Sequence, residues 1–219
     1  MNSDKEFYMS KTSKIIEVIF FFLILPTIFI QVNSNITMFA TLSLLSFFCF
    51  IYLNYKKICL FNKNEFKFDQ SFIKILSRVF VIAILIFLFS FVFDKEKFLN
   101  LPSSHFFLWI VILILYPIFS AFPQEIIYRK FFFQRYGKLF RNKETLIITN
   151  AFLFSFAHII YLNPIVIIFT FIGGLLMAIS YSQHQSLFKV SVEHGLYGNI
   201  VFSSGLGNYF YHTQGLSFG

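Results

Sequence analysis

Charged residues are scarce in this sequence. Only 13% of its 219 residues are Asp, Glu, Lys or Arg, whereas an average soluble domain carries about 25%. Hydrophobic residues make up 57% of the chain, and 36 residues are Phe. Several apolar runs approach the roughly 20 residues that a helix needs to cross about 30 Å of hydrocarbon. The scarcity of charge therefore excludes an ordinary soluble domain and indicates a polytopic membrane protein.

Cysteine and aspartate are rare as well. The two cysteines, Cys49 and Cys59, show no Cys-x2-Cys spacing, which excludes a disulfide framework. The three aspartates, Asp4, Asp69 and Asp94, lie outside the apolar runs. A catalytic pair of aspartates inside the membrane is therefore excluded.

The apolar runs predict an all-α fold, a transmembrane helical bundle of about seven spans, with six to eight as the range. A single integral-membrane domain over residues 1–219 accounts for the length. Small residues on the sixth span (Gly173, Gly174 and Ala178) predict that another helix approaches it closely. The predicted spans are 15–32, 36–53, 79–93 (or from residue 71, with Lys74 and Arg78 reaching the headgroups), 105–122, 146–162, 165–182 and 187–203.

The net charge of +8 comes from Lys and Arg that cluster in alternate connections between the apolar runs. This pattern follows the positive-inside rule, so it predicts topology and not a nucleic-acid partner. It places the N-terminus in the cytoplasm. We expect a multi-pass protein of the bacterial inner membrane, whose first partner is the lipid bilayer itself.

A first group of polar residues follows the fourth predicted span. Glu125 and Arg129 are four positions apart, so they share a helix face and can form an ion pair. Gln124 points about 100° away around the same axis. Pro123 just before them predicts that a new or kinked helix starts there. These residues alone fit a structural ion pair as well as a catalytic carboxylate.

Two further groups lie inside predicted spans. Phe154 and His158 are spaced four apart on the fifth span, and a histidine supplies a metal-binding imidazole or a proton acceptor near neutral pH. The seventh span carries Glu193, His194 and Asn199, in the most polar stretch of any span. Packing does not explain that density, because polar groups in a membrane are costly and are usually functional.

The three groups in order, Glu-x3-Arg, Phe-x3-His and His followed by Asn, resemble the CPBP family of intramembrane proteases. This family is also called the CAAX protease and bacteriocin-processing or ABI family, and its motifs are Glu-Glu-x3-Arg, Phe-x3-His and His-x3-Asn. The resemblance covers residues 117–210, the predicted catalytic core. It departs from the family at two positions. Gln124 replaces the first glutamate, and Gly198 stands where the family has Asn, with Asn199 one position later.

The resemblance implies a membrane-embedded endopeptidase that cleaves membrane-associated proteins or peptides. Glu125 is the expected general base, oriented by Arg129 and aided by His158. His194 and Asn199 are the expected oxyanion donors. His158 and His194 are the expected ligands of a zinc ion, although no His-Glu-x2-His helix is present to show a metal. Gln124, Phe154 and Glu193 are supporting residues.

Two other classes of function stay open. A catalytically inactive CPBP-like scaffold or bacteriocin-immunity protein is suggested by Gln124, which cannot accept a proton at neutral pH. A transporter would use the same polar residues as a relay, but no inverted repeat is visible in the sequence.

For a protease, the expected substrate is lipidated or has a C-terminal hydrophobic tail. His158 lies deeper along its span than Glu125 and His194 do along theirs. We therefore expect the helix that carries Glu125 to be sunk into the membrane, with a conical site open toward the cytoplasmic leaflet.

Overall fold

A computed structural model describes residues 10–31, 35–61 and 65–210. These residues form eight helices and no strand, so the predicted all-α bundle is confirmed. The helices are α1 (Lys11–Phe29), α2 (Asn35–Tyr55), α3 (Gln70–Phe93), the short α4 (Asn100–Ser104), α5 (Phe106–Leu139), α6 (Lys143–Ala157), α7 (Pro164–His184) and α8 (Leu187–Ser204).

Six of the described helices are long and apolar enough to cross a membrane: α1, α2, α3, α5, α6 with the turn that follows it, and α7. The seventh predicted span is present as α8, but it is not among the six because its sequence is too polar. Six spans lie within the predicted range. Val32, the predicted end of the first span, lies outside the described residues.

Two of the predicted boundaries change in the structure. Helix α3 begins at Gln70, close to the earlier start near residue 71 that the sequence left open beside residue 79, because Arg78 does not end the apolar segment. Its guanidinium is turned into the bundle, where Glu193 of α8 neutralises it at 2.6 Å. A paired cation can lie within a span that an unpaired one would terminate.

Helix α5 corrects the second boundary. The span does not stop near residue 122, and of the two alternatives predicted at Pro123, a new helix or a kinked one, the new helix is wrong, because α5 continues for 34 residues to Leu139. Two π-helical turns, Pro117–Ala121 and Ile126–Phe131, lie on either side of Pro123. Proline lacks the N–H that an α-helix needs, and local π turns are a common way in which a long helix accommodates such interruptions.

The length of α5 brings two of the predicted site residues to the same level. Glu125 lies about 14 residues before the end of α5, which is roughly 21 Å of helix. His158 lies about 15 residues after the start of the antiparallel α6, which is roughly 22 Å. The difference in depth that the sequence suggested came from ending α5 too early.

Helix α8, which carries His194, is fixed at both ends. Near its first turn, Lys189 Nζ lies 2.7 and 2.8 Å from the carboxylate of Asp69, and this hydrogen bond holds the pKa of Asp69 well below its usual range. At its last turn, the Ser204 carbonyl accepts hydrogen bonds from Ser90 Oγ at 2.7 Å and from the Leu99 N–H at 3.1 Å. Axial movement of α8 would break contacts at both ends.

Candidate active site

A cavity of about 1310 Å³ lies between the helices, and residues from seven of the eight described helices line it. Most of its wall is aromatic and aliphatic. Its charged residues and its histidines fall in two places. One place, on α5, α6 and α8, has His158, His194, Tyr116 and Gln124, and the other has Glu17 and Arg135.

Glycines let α8 approach α5 at the first of these places. A Cβ on Gly195 would lie 3.0 Å from Pro117 Cβ, and a Cβ on Gly198 would collide with the ring of Tyr116. The two glycines thus allow the close approach of α8 to α5. Helix α8 itself stays regular from Leu187 to Ser204.

This approach places His194 against Glu125. Glu125 is fully buried, and its Oε1 lies 2.8 Å from His194 Nδ1. A carboxylate only accepts, so Nδ1 carries the proton and donates it. In the neutral ring, Nε2 is therefore the basic nitrogen. It lies 3.1 Å from the hydroxyl of Tyr116, which donates to it.

Arg129 supplies the counter-charge. It is fully buried, and its Nε lies 3.3 Å from Glu125 Oε2. Its guanidinium packs 4.9 Å from the centroid of the Phe154 ring, and Nη2 donates to the carbonyl of Gly174 at 3.4 Å. That carbonyl is within reach because Gly174 lets α7 lie close on α6, where an added Cβ would be 3.3 Å from the Ala151 carbonyl oxygen. The predicted pairing of Glu125 with Arg129, and the predicted close packing at Gly174, are present in the structure.

His158 is positioned by the end of α6. The last turn of a helix leaves carbonyl groups without intrahelical partners, and His158 Nδ1 lies 2.8 Å from one of them, the Phe154 carbonyl oxygen. Since a carbonyl can only accept, Nδ1 is the donor and Nε2 is left as the acceptor. The Phe154 ring lies between the two histidines, with its centroid 4.8 Å from that of His158 and 5.5 Å from that of His194.

Gln124 and Glu125 differ in what they face. Gln124 is half-buried on the cavity wall, and its Nε2 donates to Ser120 Oγ at 3.0 Å. Glu125 does not line the cavity, because it lies behind His194. An uncharged amide thus occupies the wall, whereas the carboxylate reaches the cavity only through the imidazole of His194.

Asn199 is not brought to this place. Five positions after His194 on a regular helix, it points about 140° away, and its Nδ2 donates to the Leu113 carbonyl at 3.1 Å. It does not line the cavity. The structure therefore gathers Glu125, His158 and His194 and leaves Asn199 apart, and its predicted oxyanion role gains no support from this geometry.

Glu193, predicted as a supporting residue, also lies away from the cavity. It is fully buried and pairs with Arg78 of α3 at 2.6 Å, while the Tyr197 hydroxyl donates to the same oxygen at 2.9 Å. Arg78 also donates to Ser180. Glu193 thus connects α8 to α3 and α7, and it fixes the helix at the residue next to His194.

Tyr116 is the site residue that the sequence did not indicate. Nine positions separate it from Glu125, which on a regular helix places the two on roughly opposite faces. The π turn Pro117–Ala121 lies between them and changes this phase. A tyrosine within an apolar span has no pattern of its own, so only its position before Pro117 could have drawn attention to it.

The predicted zinc ion is not matched by the donors in the described residues. They contain no group of three His, Cys, Asp or Glu side chains that could hold a metal. Both ring nitrogens of His194 already have partners, Glu125 and Tyr116, and His158 offers only Nε2. Zinc bound by His158 and His194 stays a prediction.

Fold and site together define a class: a multi-pass helical membrane protein in which two histidines line an apolar cavity, one of them backed by a buried glutamate. Residues 105–200, which include every site residue named above on α5, α6 and α8, match the Rce1-like family, described as type II CAAX prenyl endopeptidases. The resemblance to the CPBP and CAAX protease family is thereby confirmed. Neither a curated protein nor a solved structure gives a significant match.

Proposed function

We propose that this chain is a membrane-embedded endopeptidase in which His194, and not Glu125, is the general base. The observation that carries this proposal is the 2.8 Å contact of Glu125 Oε1 with His194 Nδ1, on the side of the ring away from the cavity. A carboxylate behind an imidazole fixes its tautomer and stabilises the imidazolium that forms when the other nitrogen takes a proton. Glu125 is then the orienting residue.

In the proposed reaction, a water molecule displaces the Tyr116 hydroxyl from His194 Nε2. His194 Nε2 removes a proton from this water as the water oxygen attacks the scissile carbonyl. It later gives the proton to the leaving amine. His158 Nε2 is a second acceptor on the same wall and orients the water. The Tyr116 hydroxyl and the Gln124 amide are the donors available to the oxyanion, the role first predicted for His194 and Asn199.

The substrate is proposed to carry an apolar tail or a lipid. A cavity of about 1310 Å³ exceeds the roughly 300–1,000 Å³ of most small-ligand pockets, and it is lined mainly by Phe, Leu and Ile. The name of the matched family, prenyl endopeptidase, points to the same chemistry. The Lys-rich connections support an N-terminus in the cytoplasm, and the membrane is proposed to be the bacterial inner membrane.

The test is cleavage of an S-farnesylated peptide by the purified chain in proteoliposomes. The parent protein is expected to cleave it, and His158→Ala is expected to lower the rate by about 100-fold, the lower range for loss of an acid–base group. His184→Ala is the matched control, since His184 is exposed and off the cavity wall. Equal rates for the two variants would remove His158 from the mechanism, and an inactive parent would count against the endopeptidase.

A second candidate, an inactive scaffold or immunity protein, is favoured by one observation: the cavity wall carries the Gln124 amide where a carboxylate would contact water directly. The variant Gln124→Glu separates the two. For a working His194 base we expect its cleavage rate to stay within about tenfold of the parent. For a scaffold, the parent would be inactive and Gln124→Glu would create cleavage of the same farnesylated peptide.

A further inference from the structure

The second polar place on the cavity wall is an ion pair between α1 and α5. Arg135 and Glu17 both line the cavity. Arg135 Nε and Nη2 lie 2.7 and 2.6 Å from the two oxygens of the Glu17 carboxylate. This is the two-pronged geometry by which a guanidinium recognises a carboxylate. Their side chains are only 13% and 21% exposed, so water reaches the pair poorly.

The surroundings of Arg135 complete a carboxylate site. The Tyr136 hydroxyl donates to Glu17 Oε2 at 3.1 Å, so three donors converge on the carboxylate. The guanidinium lies over the ring of Tyr52, 4.7 Å from its centroid, and 5.7 Å from that of Tyr136. Rings from two helices thus fix the plane of the guanidinium, which favours two-pronged binding of a planar anion such as a carboxylate.

The carboxylate that fills this site belongs to a weakly packed segment. The first half of α1, Lys11–Ile19, contains no buried residue. By contrast, Tyr136 is fully buried and α5 runs through the bundle. A carboxylate from another molecule therefore competes with a side chain at the exposed end of α1, where contacts with the core begin at Val18 and Phe22, while the donors keep their positions.

The distance from Arg135 to the Glu125–His194 pair sets how many residues of a bound peptide would lie between its carboxylate and the site. Arg135 lies ten positions after Glu125 on α5, or roughly 15 Å along the axis. An extended peptide covers that distance in about four to five residues at roughly 3.3 Å each. A chain end held at Arg135 would bring a peptide bond a few residues away to His194.

We propose that Arg135 binds the C-terminal carboxylate of the substrate, and that Glu17 occupies the same site when no substrate is bound. The inference rests on the proposed endopeptidase function and adds a recognition residue to it. In this proposal, Glu17 of α1 is an internal ligand of Arg135 that the substrate carboxylate displaces. The chemistry recognised is a free terminal carboxylate at the end of an apolar-tailed peptide.

The test measures binding apart from cleavage, by fluorescence anisotropy in lipid nanodiscs with the full-length chain carrying His158→Ala. The probes are a labelled S-farnesylated peptide that ends five residues after the modified cysteine, the length that spans the distance to Arg135, with a free carboxylate or with an amide. A charge-assisted contact predicts that the acid binds about tenfold more tightly than the amide. Arg135→Gln should reduce this ratio to about one, and Glu17→Gln should raise the affinity for the acid only.

Two further variants are controls, one for the loss of an arginine elsewhere and one for misfolding. Arg141→Gln changes an exposed arginine off the cavity wall and should keep the tenfold ratio. The double variant Glu17→Gln with Arg135→Gln leaves no unpaired charge, so a lost ratio there is not due to misfolding. If the parent binds both peptides equally, the inference fails while the endopeptidase stands; if it binds neither, the proposed substrate class fails with it.

Discussion

His194→Ala is expected to lower the rate of peptide cleavage by at least about 10⁴-fold, and Glu125→Gln by nearly as much. The two residues act as a unit, since Glu125 holds the tautomer that makes His194 Nε2 basic. Replacing the carboxylate partner of a catalytic histidine by its amide costs about 10⁴ in rate where this has been measured. The double variant should be no slower than either single one, because effects within such a unit do not add.

The comparison with Tyr116→Phe makes this expectation specific. That variant removes one hydroxyl from the same ring nitrogen but leaves the Glu125–His194 contact in place. Its expected loss is about 100-fold, typical of one oxyanion donor. Single-turnover rates in proteoliposomes separate these values. A Glu125→Gln variant that cleaved at the rate of the parent would contradict the orienting role, and one inactive beside an active His194→Ala would restore Glu125 as the base.

The parts of the site that the sequence predicted are pairs spaced by four. Glu125 contacts Arg129, and His158 contacts Phe154, although Arg129 lies in the π turn Ile126–Phe131 and His158 begins the turn after α6. The same rule, applied to α8, also showed that His194 and Asn199 diverge. No local irregularity of α8 reunites them, and Gly195 and Gly198 serve the contact with α5 instead.

The parts that the sequence missed depend on π turns and on contacts between distant helices. No spacing rule predicts that a 34-residue helix continues past Pro123, nor that the π turn after Tyr116 changes the phase between it and Glu125. The inward turn of Arg78 required knowledge of Glu193, which lies 115 positions later. Such pairings are set by the packing of the bundle and leave no local pattern.

Arg129→Met is expected to destabilise the fold by about 3–5 kcal/mol, the usual result of removing one partner from a buried ion pair. Both side chains are fully buried, so the variant leaves the Glu125 carboxylate without its counter-charge. Methionine keeps most of the length of the side chain and its contact with Phe154, so the loss reports charge and not volume. The measurement is the free energy of unfolding of the purified chain in detergent, with Arg141→Met as an exposed control expected to change it by less than about 0.5 kcal/mol.

Adding Glu125→Gln to Arg129→Met distinguishes the cost of an unpaired charge from the worth of the pair. If the loss in the single variant comes from a stranded carboxylate, the neutral double variant should recover most of it, since uncharged replacements of a buried pair are often tolerated. It should also stay inactive, because His194 no longer has a carboxylate behind it. A stable but inactive double variant would mean that Arg129 is present to keep Glu125 ionised for His194, and that the bundle itself does not need the pair.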